Sequence, residues 1–336
     1  MASSTASKRR PARAPAPAVA AAPPLWQRWL GAFEAPRSPY PLALFRILFF
    51  AALALHFFPS LLRLDDSYSP RLLRTDEWSH WLYVRFWRIP HGWLRAMSVV
   101  TMLACIAGLV GLRPRIAAAV AFAGCYSFAS FNGLHVQTLA LLSAWAILML
   151  MALCGGGSAV WSVDAVIRRW LRRRRSGGNP EAPEAAPTES GLLPGLLLFQ
   201  LLLAVFFAGI EKLLAGWPGS NEMGILLNYP RGFMLRDWAV GATWLHGDVV
   251  TSLMTWLTIL VELGTPVLLL VRRTRRAALL AYQLFFLGII TMMEVPPLFY
   301  FMFAGSALLA LSDREVAWVL ARFRARPATP SGPAPA

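Results

Sequence analysis

The sequence predicts an all-α integral membrane protein: a bundle of about eight transmembrane helices, with further amphipathic helices lying in the interface. Three observations lead there. Of the 336 residues 57% are hydrophobic and only 15% charged, with a mean hydropathy of +0.52, whereas a soluble domain carries about 25% charged residues. The apolar excess is gathered into runs approaching the roughly 20 residues a helix needs to cross a bilayer. Most basic residues flank those runs, the position from which they orient helices.

In chain order the expected spans are 41–60, 96–112, 116–132, 136–154, 191–211, 252–271, 277–294 and 296–312. The third, fourth and eighth are short, so a re-entrant segment is open among them. Between the first two spans, "RLDDSYSPRLLRTDEWSHWLYVRFWRIPHGW" mixes charge with Trp78, Trp81, Trp87 and Trp93, which predicts helices in the headgroup layer. "WSVDAVIRRWLRRRR" predicts a helix starting near Ser162–Asp164, capped by one of those side chains, with Asp164 the expected interface cap and the basic face on anionic lipid. The stretch 176–190, "SGGNPEAPEAAPTES", reads as the acidic part of a flexible linker over about 172–190 that divides the spans into two groups of four. Residues 1–36 read as a disordered Pro/Ala/Arg-rich tail, 37–315 as the membrane domain and 316–336 as a basic Pro/Ala-rich tail. Neither an internal repeat nor a signal peptide is expected.

Eight spans place both termini on one side, and the arginines choose it. The side of the termini holds 22 basic residues against nine on the other, with Arg46 inside a span. The positive-inside rule then puts both termini in the cytoplasm, with the chain in a plasma or inner membrane. His135, Lys212 and Glu294 fall at or near the outer ends of their spans.

Several function classes lose support. The net charge of +15 comes with no nucleic-acid-binding module, so no nucleic-acid partner is expected. Cys105, Cys125 and Cys154 lie in apolar runs without a C-x-x-C pair, which argues against a disulfide framework or a metal site. There is no Ser/His/Asp set, nucleotide loop, H-E-x-x-H or haem-type histidine pair, so no cofactor motif is evident.

What remains is polar residues within apolar runs. Arg46 in "LALFRILFF" either snorkels to the cytoplasmic headgroups or serves a specific role. Glu262 in "TILVELGTP" lies mid-span, which calls for a protonated carboxyl or a buried partner. Gln200 suits a hydrogen-bonded cross-link between helices. Lys212 in "FFAGIEKLLAGW" follows Ala204 and Ala208 and precedes Gly216, all at spacings of four. Such a small-residue face admits a second helix and points the lysine at protein, where a desolvated amine can act as a base. An interfacial anchor that snorkels outward is the other reading. His135 in "FNGLHVQTL" is either a headgroup contact or a helper at the same outer surface.

Together these motifs resemble the HTTM domain, the transmembrane part of vitamin K-dependent gamma-carboxylases. "FRILF", "FNGLH", "WSVD" and "QLLLAVFFAGIEKL" follow in the family's order, over about residues 36–315. Gln200, Ala208, Gly209, Lys212, Leu213 and Trp217 fit the family's Q-x7-A-G-x-x-K-L run and nearby tryptophan. Trp161–Asp164 match "WSVD", Glu262 falls where the family has an acid, and Phe299 matches a late phenylalanine. In the carboxylase the lysine of that motif deprotonates vitamin K hydroquinone. Oxygenation then yields a strong base that takes a proton from glutamate before carbon dioxide adds, and a histidine of an N-H motif assists. The resemblance therefore implies Lys212 as base, His135 as helper beside Asn132, and a reduced, vitamin K-like quinone. Asn132 and His135 are separated here by Gly–Leu, and Leu287 stands where the family usually has a histidine.

The sequence given ends at residue 336, without the large C-terminal domain that engages the carboxylase's protein substrate. Glutamate carboxylation by this chain alone is therefore not expected, and a partner protein could supply that role. Two functions from different classes follow. One is an enzyme acting on a reduced quinone or related lipid in an outward-facing pocket. The other is a non-catalytic accessory or maturation factor for a secreted peptide, as in the bacterial factors for sporulation-delaying toxins, which resemble the same domain.

Overall fold

The computed structural model describes residues 31, 35–64, 90–131, 139–175, 188–220, 222, 236–271, 273–293, 295 and 297–324. At each of the eight expected span positions the described residues form a helix. These are α1 (Tyr40–Leu62), α2 (His91–Val110), α3 (Pro114–Phe131), α4 (Leu139–Cys154), α6 (Leu192–Leu214), α7 (Asp248–Leu270), α8 (Arg275–Met292) and α9 (Pro297–Leu309). The amphipathic helix α5 (Val163–Arg175) follows α4, and α10 (Asp313–Arg324) follows α9.

Five of the described helices, α1, α2, α6, α7 and α8, are long and apolar enough to cross a membrane. The three that fall short, α3, α4 and α9, occupy the runs that were already short in the sequence. This is a membrane protein with at least these five candidate crossings, and a count of eight is not established by length and composition. Of the Trp-rich segment between α1 and α2, residues 65–89 lie outside the described residues.

α1 is the most buried of the five candidate crossings. Leu42, Phe45, Phe49, Phe50, Leu53 and Phe57 are buried along it, and Phe45 stacks on Phe49 with ring centroids 6.0 Å apart. Their i, i+3, i+4 recurrence gives one helix a broad apolar face. That face packs against α2 on one side and α9 on the other. α2, α3 and α4 follow as successive neighbours, α4 meets α6, α6 meets α7, and α8 returns to α9. The succession of neighbours thus closes on itself, with α9 touching α1, α4, α6 and α8.

Three expectations about the flanks are revised. Of the linker expected over about 172–190, Arg172–Arg175 continue α5 and Glu189–Ser190 form β2, while 176–187 lie outside the described residues. β2 pairs antiparallel with β1 (Pro36–Arg37), Pro36 opposite Ser190 and Arg37 opposite Glu189, which joins the start of α1 to that of α6. Pro36 therefore belongs to the folded domain, while residues 1–30 lie outside the described ones. The basic tail expected from 316 is helical as far as Arg324, with the remainder outside the described residues.

A capping box explains α10. Glu315 N–H donates to Ser312 Oγ at 3.4 Å, while Ser312 N–H and Oγ–H both donate to Glu315 Oε2 at 2.8 Å. The pattern S-x-x-E satisfies otherwise unpaired donors of the first turn, and "SDRE" was a signal in the sequence that the tail assignment passed over. Arg276 Nε adds a contact at 3.1 Å. The Ser312 backbone N–H first, then its hydroxyl and Arg276, hold the Glu315 carboxyl below the ordinary carboxylate range. A depressed folded-state pKa means that this contribution is present above the unfolded value of about 4.3 and is lost as pH falls through the lower folded value. Glu315→Ala is thus expected to cost about 1 kcal/mol at neutral pH. Thermal midpoints of variant and wild type should converge as pH falls below the depressed folded value; a gap that persists in that acid range would assign the effect to packing.

Candidate functional site

Lys212 lies two residues before the end of α6, yet it faces the interior of α7. Its Nζ donates to both carboxylate oxygens of Glu262, at 2.6 and 2.7 Å. The two side chains are only 19% and 9% exposed. Glu262 is 14 residues into α7, about 21 Å from Asp248 along the axis. The carboxylate therefore has the buried partner that its mid-span position demanded, and Lys212 is directed at protein. The aromatic face of Trp217 lies 5.3 Å from Nζ, on the short turn Trp217–Ser220 that follows α6.

Gly209 permits this pairing. A Cβ at that position would sit 2.9 Å from Leu263 Cδ2 and 3.0 Å from Glu262 Cβ, so only a residue without one lets α6 and α7 approach so closely. The small-residue seam expected through Ala204, Ala208 and Gly216 is rotated by one position. The buried line is Leu197, Leu201, Val205 and Gly209, with Lys212 one turn beyond. Gln200 stands on α6 twelve residues before Lys212, about 18 Å away. It shows no cross-helix hydrogen bond among the described residues and takes no part in the pair.

α7 presents a polar stripe to the bundle. Thr251, Thr255, Glu262 and Thr265 are all buried along it, and Thr255 Oγ1 donates to Thr251 O at 2.9 Å. Tyr282 on the neighbouring α8 is also buried. The sequence reasoning missed Tyr282, although a lone tyrosine in the apolar run of α8 was its signal.

A second polar assembly lies near the start of α1. Arg46 is 0% exposed, so it does not snorkel. Its Nη2 donates to the carbonyl of Trp161 at 2.7 Å, while Nε and Nη1 have no hydrogen-bond partner among the described residues. Trp161 holds a left-handed backbone at φ 48° and meets Tyr40 edge-on at 5.2 Å. Ser162 provides the cap of α5, its Oγ accepting the Ala165 N–H at 3.0 Å. Asp164 instead accepts the Arg113 N–H at 3.0 Å, which fastens α5 to the α2–α3 turn. Trp161–Asp164 is therefore a knot tying α1, that turn and α5 together. His135, Asn132 and Glu294 lie outside the described residues, so this structure does not place them relative to Lys212.

A family model for the HTTM domain matches residues 35–313. The chain belongs to the HTTM-domain family. No curated protein and no solved structure matches it. The limits of the match agree with the fold, since the HTTM domain begins at the strand before α1 and ends at the first residue of α10. Within it, Lys212 joins Glu262 beside Gly209 and meets the ring of Trp217, whereas Arg46 and Asp164 belong to the separate knot. Among the described residues no cluster of His, Cys, Asp or Glu could hold a metal ion.

Proposed function

We propose that this HTTM protein acts on a reduced quinone or chemically related lipid at the Lys212–Glu262 pair, with Lys212 as the base. The observation that supports this most is the two-point contact of a shielded lysine with a single carboxylate, at 2.6 and 2.7 Å. When the shared proton resides on Glu262, the Lys212 amine is neutral and has a lone pair to offer. A phenolic hydroxyl of the quinol then gives its proton to Nζ, leaving an ammonium on the protein and a phenolate on the substrate. Glu262 positions the amine, and the new ammonium stabilises the phenolate in a site of low polarity, where charge attraction is stronger than in water.

The residues present suit such a molecule. A quinol combines an apolar ring with hydroxyl groups, and Trp217 offers an aromatic face beside the base. The likeness to vitamin K-dependent carboxylases adds oxygenation of the phenolate as the following step, with oxygen as co-reactant. The arginine distribution favours cytoplasmic termini and an outward-facing site. His135 as helper belongs to the same reading.

Purified protein supplied with vitamin K hydroquinone and oxygen should form an oxygenated quinone detectable by mass spectrometry. Lys212→Arg keeps the charge but removes the titratable amine, and is expected to slow that reaction by about 100-fold or more. Undiminished turnover in Lys212→Arg would falsify the assignment of the base. No turnover in the wild type, together with no quinone-like lipid co-purifying, would favour the accessory reading, in which the same contact only pins α6 to α7.

A further inference from the structure

We propose that a second site, at the membrane face where α5 lies, binds the phosphate of an anionic phospholipid headgroup. A cavity of about 780 Å³ opens between α5 and the start of α1. Tyr40, Ser158, Trp161, Arg168, Arg169 and Arg172 line it, together with Glu189. Three guanidiniums thus face one carboxylate, and that carboxylate is already engaged. Glu189 Oε2 accepts the Gly157 N–H and Oε1 the Ala159 N–H, both at 3.0 Å. The buried charge of Arg46 stands behind the Trp161 wall, held to its carbonyl.

Arg168 and Arg169 have capacity left. A guanidinium carries five N–H donors. Arg168 uses its two terminal nitrogens on the Ser158 carbonyl and hydroxyl, and Arg169 donates its Nε–H to Ala165 O at 3.3 Å. The planar fork of arginine matches the paired oxygens of a phosphate. The wall of the cavity is held in a fixed and costly shape, since Trp161 keeps a backbone conformation that side-chain-bearing residues rarely adopt.

The surroundings choose a lipid as the source of that phosphate. On α5, Val166, Ile167, Trp170 and Leu171 are exposed beside the arginines. A helix with exposed apolar residues and a basic face lies in the interface plane, at the depth of the headgroups. A phospholipid there can place its phosphate in the cavity while its acyl chains stay in the bilayer.

The test uses the full chain in detergent, titrated by native mass spectrometry with phosphatidylglycerol, phosphatidylcholine or inorganic phosphate. Wild type should prefer phosphatidylglycerol to phosphatidylcholine by about tenfold, and substitution of Arg168, Arg169 and Arg172 by glutamine should lower phosphatidylglycerol affinity at least tenfold. Substitution of Arg173, Arg174 and Arg175 removes the same charge from outside the cavity lining and should leave affinity nearly unchanged. Equal losses from both triple variants would show diffuse attraction to α5 and overturn the site. Displacement of phosphatidylglycerol by millimolar inorganic phosphate would overturn the lipid as its source. Should the first triple variant fail to fold, Arg169→Gln with Arg172→Gln spares the Arg168–Ser158 contacts and should show the same preference loss, smaller in size.

Discussion

Glu262→Ala is expected to cost about 3–5 kcal/mol, because it strands the Lys212 ammonium in a shielded position without its partner. Lys212→Ala should cost a comparable amount by leaving the carboxylate alone. The double variant Lys212→Met/Glu262→Leu fills the same space with apolar atoms, and buried pairs replaced in that way commonly recover the loss. A thermodynamic cycle in detergent, with unfolding followed as denaturant is added, isolates the coupling between the two side chains. Single substitutions costing less than about 1 kcal/mol would mean that the pair is solvated like a surface ion pair and does not hold α6 to α7. The double variant also bears on function. If it folds as well as the wild type yet forms no oxygenated quinone, the charges are retained for chemistry and not for stability.

How much of this was legible in the sequence depends on the range over which each feature is determined. The positions of α1, α6 and α7 follow from local apolar content, and the chain shows them plainly. The brevity of the apolar runs at α3, α4 and α9 was equally local. The Lys212–Glu262 contact was not, since it joins residues 50 apart whose meeting depends on the register of two helices. Spacing alone suggested a seam through Ala204 and Ala208, and the choice of Gly209 instead depends on the approach of Leu263 and Glu262. Arg46 shows the same limit. Its place near the end of α1 suited snorkelling as well as burial, and only the Trp161 carbonyl, 115 residues onward, decides between them. Ser162 and Asp164 were both reasonable caps by residue type, and their roles separate only when the α2–α3 turn is brought beside α5.

That turn carries the second large expected effect. Gly111→Ala should destabilise the protein by about 3 kcal/mol or more, a loss with two sources. Gly111 has φ 72°, where an alanine costs about 1–2 kcal/mol relative to ordinary backbone. The remainder is steric, because the added Cβ would fall onto Arg46 Nη1 and lie 2.5 Å from Ser162 Cβ. The two sources can be separated. In an Arg46→Ala background the guanidinium obstruction is gone, so Gly111→Ala should there cost only the backbone term and the Ser162 contact. Arg46→Ala on its own leaves the Trp161 carbonyl without this donor and opens a void beside Gly157, whose own Cβ position lies 3.4 Å from Arg46 Cδ. Additive losses would show that Arg46 and Gly111 act independently and would remove the knot as a unit. Strongly sub-additive losses would establish that the buried arginine, the left-handed glycine and the cap of α5 form one cooperative joint. Because Trp161 belongs to that joint, such a result would also make the shape of the neighbouring arginine cavity a property of the buried end of α1.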